Sequence, residues 1–195
     1  MEYPLRLSFK VLAIGHQLSV EDARGNLLWY VKQKVLALRE AITVFADRER
    51  TLPLFRIQAD RVIDFNAVYR MSVEDTGEDL GAVRRRGARS LWRAHYEVHA
   101  GAGVAFVVRE ENPWAKLGDA LLGEVPVLGL FSGYFFHPRY LLARPDGSEL
   151  FRLEKRPALW EGRFDISRLA EMSPEEERLG LLSLMVTVLM EKRRG

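Results

Sequence analysis

The sequence predicts a mainly β protein whose strands wrap one apolar C-terminal helix. Three observations predict it. Alternation of apolar and polar residues at the strand period recurs between residues 5 and 110. Turn-forming residues punctuate the alternating runs. A helical segment near the C-terminus carries no polar face. The chain of 195 residues suits one full core and is short for two, so a single domain over 1–195 is expected.

The strand reading rests on residue order. Leu5, Leu7, Phe9 and Val11 alternate with Arg6, Ser8 and Lys10; Tyr69, Met71 and Val73 alternate with Arg70, Ser72 and Glu74. Trp92, Ala94, Tyr96 and Val98 alternate with Arg93, His95, Glu97 and His99. Successive side chains of a strand point to opposite faces, so each run places one set on a core and the other in water. Asp22–Asn26, Asp75–Gly77 and Pro145–Gly147 supply residues that tolerate the left-handed conformation a hairpin reversal needs. Short, regularly punctuated strands argue for a meander closing into a barrel or a sandwich. Tyr134–Ala143 and Glu149–Lys155, within a hairpin around Pro145–Gly147, extend the series, and Phe164–Ile166 reads as one last strand.

Two helices interrupt this pattern. Asn112 at a cap and Pro113 at the first helical position start one that runs to about Leu122–Gly123. The second spans about 174–193. Ser173 can cap it, Glu176 sits where a capping-box acid belongs, and Glu175–Glu177 face the positive end of its dipole. Lys192, Arg193 and Arg194 face the negative end. Between them Leu179–Met190 has no charge, and Gly180, Ser183 and Thr187 form a stripe of small residues. A helix that is apolar all round must be enclosed on all sides. The interior of the sheet is the simplest enclosure, because 12 uncharged residues are too few to span a bilayer.

Read together, Gln17–Val31, Asn112-Pro113-Trp114, Tyr140–Gly147, Phe151–Lys155 with Phe164, and the final apolar helix resemble the tubby-like fold, in its LURP-one-related and phospholipid-scramblase-like branch. The resemblance implies a closed antiparallel barrel of about 12 strands around a buried hydrophobic helix. For activity it implies less: tubby-like domains can bind phosphoinositides and scramblase-like members act at membranes, and since catalytic signatures are scarce in the sequence a non-enzymatic module is expected. The chain departs from the scramblases in having no cysteine for a palmitoyl anchor and no calcium loop of the Asp-x-Asp-x-Asp-Gly type.

Composition excludes several functions. With no cysteine there is no disulfide, thiolate zinc site, iron–sulfur cluster or thiol nucleophile, which fits a cytoplasmic chain. The first residues, Met1–Arg6, lack the basic start and apolar stretch of a signal peptide. A net charge of +2 does not suggest nucleic-acid binding. No P-loop, dinucleotide fingerprint, nucleophile elbow or His-Glu-x-x-His pattern is present, so neither cofactor nor catalytic residue is assigned.

The strongest charge feature is a change of sign: Glu74, Asp75, Glu78 and Asp79 precede Arg84, Arg85, Arg86, Arg89 and Arg93. Arginine forks bind phosphate bidentately, so these five are the candidate anion or lipid site. The plainer reading is a solvated hairpin with its arginines paired to the acids upstream, and charge runs usually take that form. His95, Glu97 and His99 share a strand face, yet three such positions span about 13 Å and cannot share one ion. The apolar stretch Asn112–Gly133 reads as packing over a barrel end rather than as a membrane-contacting lobe. A phospholipid or phosphoinositide headgroup, or a protein, is the expected partner, with the chain cytoplasmic or peripheral at a membrane. The alternatives are an interaction protein with no small ligand and, below it, a scramblase-like membrane protein or a hydrolase with dispersed residues such as Asp60, Asp64 and Asp119.

Overall fold

The computed structural model describes residues 1–12, 15–33, 41–60, 68–85, 95–111, 139–157 and 161–192. Among them, twelve strands precede one helix. The strands are β1 (Leu5–Leu12), β2 (Gly15–Glu21), β3 (Leu27–Gln33), β4 (Ile42–Phe45), β5 (Pro53–Ala59) and β6 (Val68–Val73). They continue as β7 (Asp79–Arg85), β8 (His95–Ala100), β9 (Gly103–Glu110), β10 (Arg139–Ala143), β11 (Glu149–Arg156) and β12 (Glu161–Arg168), and the helix is α1 (Pro174–Lys192). Each strand pairs antiparallel with its neighbours in the chain, and β1 pairs with β12 to close the barrel. The expected helix at 112–123, the rest of the apolar stretch to Gly133, the first five residues of the strand expected from Tyr134, and Trp92–Ala94 lie outside the described residues.

Alternation sets what the barrel encloses. Leu7 stands opposite Phe164 on one side and Val20 on the other, and Leu18 opposite Val31, so apolar residues meet in cross-strand rows. Leu5, Leu7, Met71, Val83, Tyr96, Val98, Phe151 and Leu153 are fully buried, while Arg6, Lys10 and Arg70 are exposed. Among the described residues, the thinnest seam is β3–β4, which meet there at the single pair Tyr30–Phe45.

An up-and-down barrel has two ends, and here they differ. At one end, called the turn end, the reversals are tight. Asp22 accepts hydrogen bonds from the Arg24 amide at 3.0 Å and the Asn26 amide at 2.9 Å. Asp146 accepts from the Ser148 amide at 2.9 Å. Asp47 does the same for Thr51 at 2.9 Å and Leu52 at 2.7 Å. A short aspartate replaces the backbone partners a hairpin loop lacks. The reversals at Asp22, Thr76 and Asp146 are those the sequence marks; the Asp47 turn carries no such signal. The opposite, far end is where the described strands stop before residues 13–14, 34–40, 61–67, 86–94, 112–138 and 158–160.

The helix α1 enters at the turn end and runs down the barrel. Its start is a reciprocal capping box: the Glu176 amide donates to Ser173 Oγ at 3.2 Å, and the Ser173 amide donates to Glu176 Oε2 at 3.0 Å. Ser173→Ala is expected to cost about 1 kcal/mol, seen as a lower denaturation midpoint with an unchanged slope. An unaltered midpoint would mean the cap contributes nothing. Every residue from Leu179 to Met190 is buried. Ser183 Oγ donates to the Leu179 carbonyl at 2.7 Å and Thr187 Oγ1 to the Ser183 carbonyl at 2.9 Å, so the two hydroxyls are satisfied within the helix. Gly180 lets the wall close in: a Cβ there would stand 2.9 Å from Phe151 Cε2.

Candidate anion-binding end of the barrel

Of the five arginines singled out by sequence, the described residues include Arg84 and Arg85, the last two of β7; Arg86, Arg89 and Arg93 lie outside them. Adjacent strand residues take opposite faces. Arg84 is on the outer face and exposed, opposite Glu97 across β8. Arg85 takes the inner face, opposite Tyr96, and is half-buried. The two guanidinium groups therefore serve different surroundings. Of the acids just upstream, Glu74 lies 3.5 Å from Arg56, and Asp79 accepts from the Gly81 amide at 3.0 Å.

Arg85 belongs to a polar cluster where α1 leaves the barrel. The Tyr96 hydroxyl donates to Glu191, the last acid of the helix. Burial raises the Tyr96 phenol well above its ordinary value, the hydrogen bond to Glu191 raises it further, and the charge of Arg85 opposes both. The turn end has a counterpart. Tyr3 donates to Glu177 at 2.7 Å, and its phenol is likewise raised, first by burial and then by that bond. Beside it Arg144 holds Glu176 with two hydrogen bonds of 2.9 Å, keeping that carboxyl below its usual range. Polar contacts thus tie both ends of an otherwise apolar helix to the wall.

These tyrosines give the fold an alkaline limit. In the unfolded chain a phenol loses its proton near pH 10; in the fold it holds it to higher pH. Above about pH 10 the unfolded state binds fewer protons, so stability is full below that pH and declines as pH rises through it. Tyr96→Phe is expected to lower stability at neutral pH by about 1–3 kcal/mol, since the bond lost is to a charged group. Denaturant midpoints followed above about pH 10 should also fall less steeply than in the parent. An equally steep decline would remove Tyr96 as its source.

Elsewhere the candidate groups are dispersed. His99 Nε2 lies 3.5 Å from Glu97 Oε2 on the outer face of β8. Among the described residues no three metal-ligating side chains gather to hold an ion. Asp60 pairs with Arg70 at 2.7 Å, while Asp64, Asp119 and the stretch Asn112–Gly133 lie outside the described residues. Among the described residues, no helix is long and apolar enough to cross a membrane. Sequence reasoning missed the Tyr96–Glu191 and Tyr3–Glu177 pairs. The available signal was Glu191 itself, a lone acid between the apolar run and Lys192–Arg194.

The sequence matches no family model and no curated protein. The backbone resembles the X-ray structure of a protein from Arabidopsis thaliana. That likeness has a TM-score of 0.53 at 14% identity and covers 98% of this chain and 92% of the other. At that identity it shows the fold alone. This chain is a closed barrel of twelve antiparallel strands with a C-terminal helix, and it has a structural neighbour in a plant protein.

Proposed function

We propose that the chain is a non-catalytic module of the tubby-like fold, in its LURP-one-related and scramblase-like branch, that binds an anionic lipid headgroup. The observation that carries this reading is the occupancy of the interior. Leu181, Leu182, Leu184, Met185, Val186 and Val188 fill the barrel axis and are buried against its wall. A barrel that holds a small ligand leaves its lumen free for it; this lumen holds a helix. Recognition then falls to the outer surface and the ends, where Arg84 offers an exposed guanidinium. Arg86, Arg89 and Arg93 follow it in sequence.

Flotation with vesicles of phosphatidylcholine alone, with phosphatidylserine, and with phosphoinositide tests the reading. Binding is expected only where anionic lipid is present. A basic residue near such a surface contributes about 1 kcal/mol, so Arg84→Ala should weaken binding about five-fold. Absence of binding to every composition would sink the proposal and favour an interaction protein with no small ligand. The ion pairs that cover much of the outer wall, such as Arg139–Glu154 at 2.9 Å and Arg156–Asp165 at 2.8 Å, support that second reading.

A further inference from the structure

We infer that residues 1–4 form a strap across the turn-end mouth of the barrel, and that lifting this strap is the local motion that uncovers α1. The strap precedes β1 and is fastened at three points. On the outside, the Glu2 carbonyl accepts from the Ala23 amide at 2.9 Å. The Arg24 guanidinium grips the Glu2 carboxylate with two hydrogen bonds, one of them 2.6 Å. Over the mouth, the Tyr3 ring stacks on Phe151 with centroids 5.9 Å apart. On the inside, the Tyr3 hydroxyl donates at 2.7 Å to Glu177, in the first turn of α1, and Arg168 lies 3.9 Å from the same carboxylate. Phe151 passes the hold on to the helix. It is fully buried, and it sits so close to α1 that a Cβ on Gly180 would stand 2.9 Å from its ring. Tyr3 therefore bears on α1 twice, through its hydroxyl at Glu177 and through Phe151 at Gly180.

Chain connectivity makes this mouth the way out. The 19 residues of α1 span about 28 Å at the usual helical rise. Residues 169–173 tether the helix to β12 at the turn end, and fully drawn out they reach only about 20 Å. The helix therefore cannot leave by the far end; it moves back through the turn end or out through the side. The side route has its own latch at the β3–β4 seam, where the described residues form the single ladder pair Tyr30–Phe45. Outside, Arg48 reaches over the Tyr30 ring to Glu21 at 2.6 Å; inside, Trp29 meets Phe55 edge-on with centroids 5.5 Å apart. Two facts make the strap the easier closure to release. Lifting it breaks no ladder pair of the barrel, whereas a side opening parts two strands. Its outer Glu2–Arg24 pair is exposed, and such pairs contribute little. Tyr3 is thus the fastening that matters, and small local openings of this kind precede global unfolding.

The chain has no cysteine, so Ser183→Cys places a single thiol on the fully buried helix with little change of volume. Its rate of labelling by a thiol reagent, followed against urea, reports how often α1 is uncovered. At low urea the labelling is expected to depend on urea far more weakly than global unfolding does, because a local opening exposes little surface. Adding Tyr3→Phe removes one hydrogen bond to a charged group, which favours the open form about ten-fold or more. The low-urea rate should rise by that factor without becoming steeper in urea. Tyr96→Phe removes a like bond at the other end of the helix and should leave the low-urea rate unchanged. Labelling that follows the urea slope of global unfolding throughout, or equal acceleration by Tyr3→Phe and Tyr96→Phe, overturns the strap. Acceleration by Arg48→Ala and not by Tyr3→Phe overturns it as well, in favour of a side opening at β3–β4.

Discussion

A lysine in place of Met185 is expected to leave no cooperatively folded barrel. Met185 lies midway along α1 and is fully buried, with Leu182, Leu184 and Val186 around it in the same core. An ammonium placed there loses its water and gains no acid, because Leu179–Met190 carries no charge and the core cluster around it contains no acidic residue. The desolvation of such an ion costs several kcal/mol even after relaxation, and a domain's whole stability is only about 5–15 kcal/mol. Snorkelling cannot relieve it, since both mouths lie about two helical turns or more away. The measurement is a urea melt followed by tryptophan fluorescence, with Leu52→Lys as the comparison. Leu52 is 60% exposed at the turn end, so that variant should keep a transition within about 0.5 kcal/mol of the parent. A cooperative transition of ordinary midpoint in Met185→Lys would mean that the helix is not enclosed.

How far the sequence could be read follows from where its physical signals are one-sided. Strands with one face on a core and one in water alternate legibly, and β1, β6 and β8 are of that kind. The helix was legible for the opposite reason: with wall on all sides, it shows no alternation, only a missing charge. The strand β4 is four residues long and gives too few positions to establish a period. Tyr30 misleads because it takes the outer face and is nevertheless buried, with the Arg48 guanidinium 5.8 Å from its ring centroid. At the candidate site, the arginine run was plain, but which face each residue takes depends on strand phase. One residue of phase separates exposed Arg84 from Arg85, which faces the Tyr96–Glu191 pair. That pair joins positions 95 apart in sequence, and no local pattern encodes such a contact. Closure of β1 on β12 is equally non-local; it follows from burying both faces of the helix rather than from either strand's composition.

Gly81→Ala is expected to be more damaging than Gly77→Ala or Gly103→Ala, and it measures how closely wall and helix fit. Gly81 stands opposite Met71, where the β6–β7 register shifts, beside the β8 carbonyl of His99. A Cβ there would lie 2.3 Å from His99 O and 3.3 Å from Leu179 Cδ1. The carbonyl is backbone and cannot swing aside. The φ of +136° also excludes a comfortable L side chain. Strain of about 1–3 kcal/mol and overpacking of similar size together predict a loss of about 3 kcal/mol or more. For a chain of this size that is about 10 °C in Tm. Two variants separate the causes. Gly77→Ala keeps a positive φ of +70° with no neighbour near its Cβ, so it carries backbone strain alone, about 1 kcal/mol. Gly103→Ala has ordinary φ and open space, and should change stability by less than about 0.5 kcal/mol. The expected order in thermal melts is Gly103, Gly77, then Gly81, with the last step the largest. Should Gly81→Ala melt with Gly77→Ala, the contact between β7 and β8 is looser than drawn. The entry of Leu179 beneath the β6–β7 reversal would then not depend on a residue lacking a side chain.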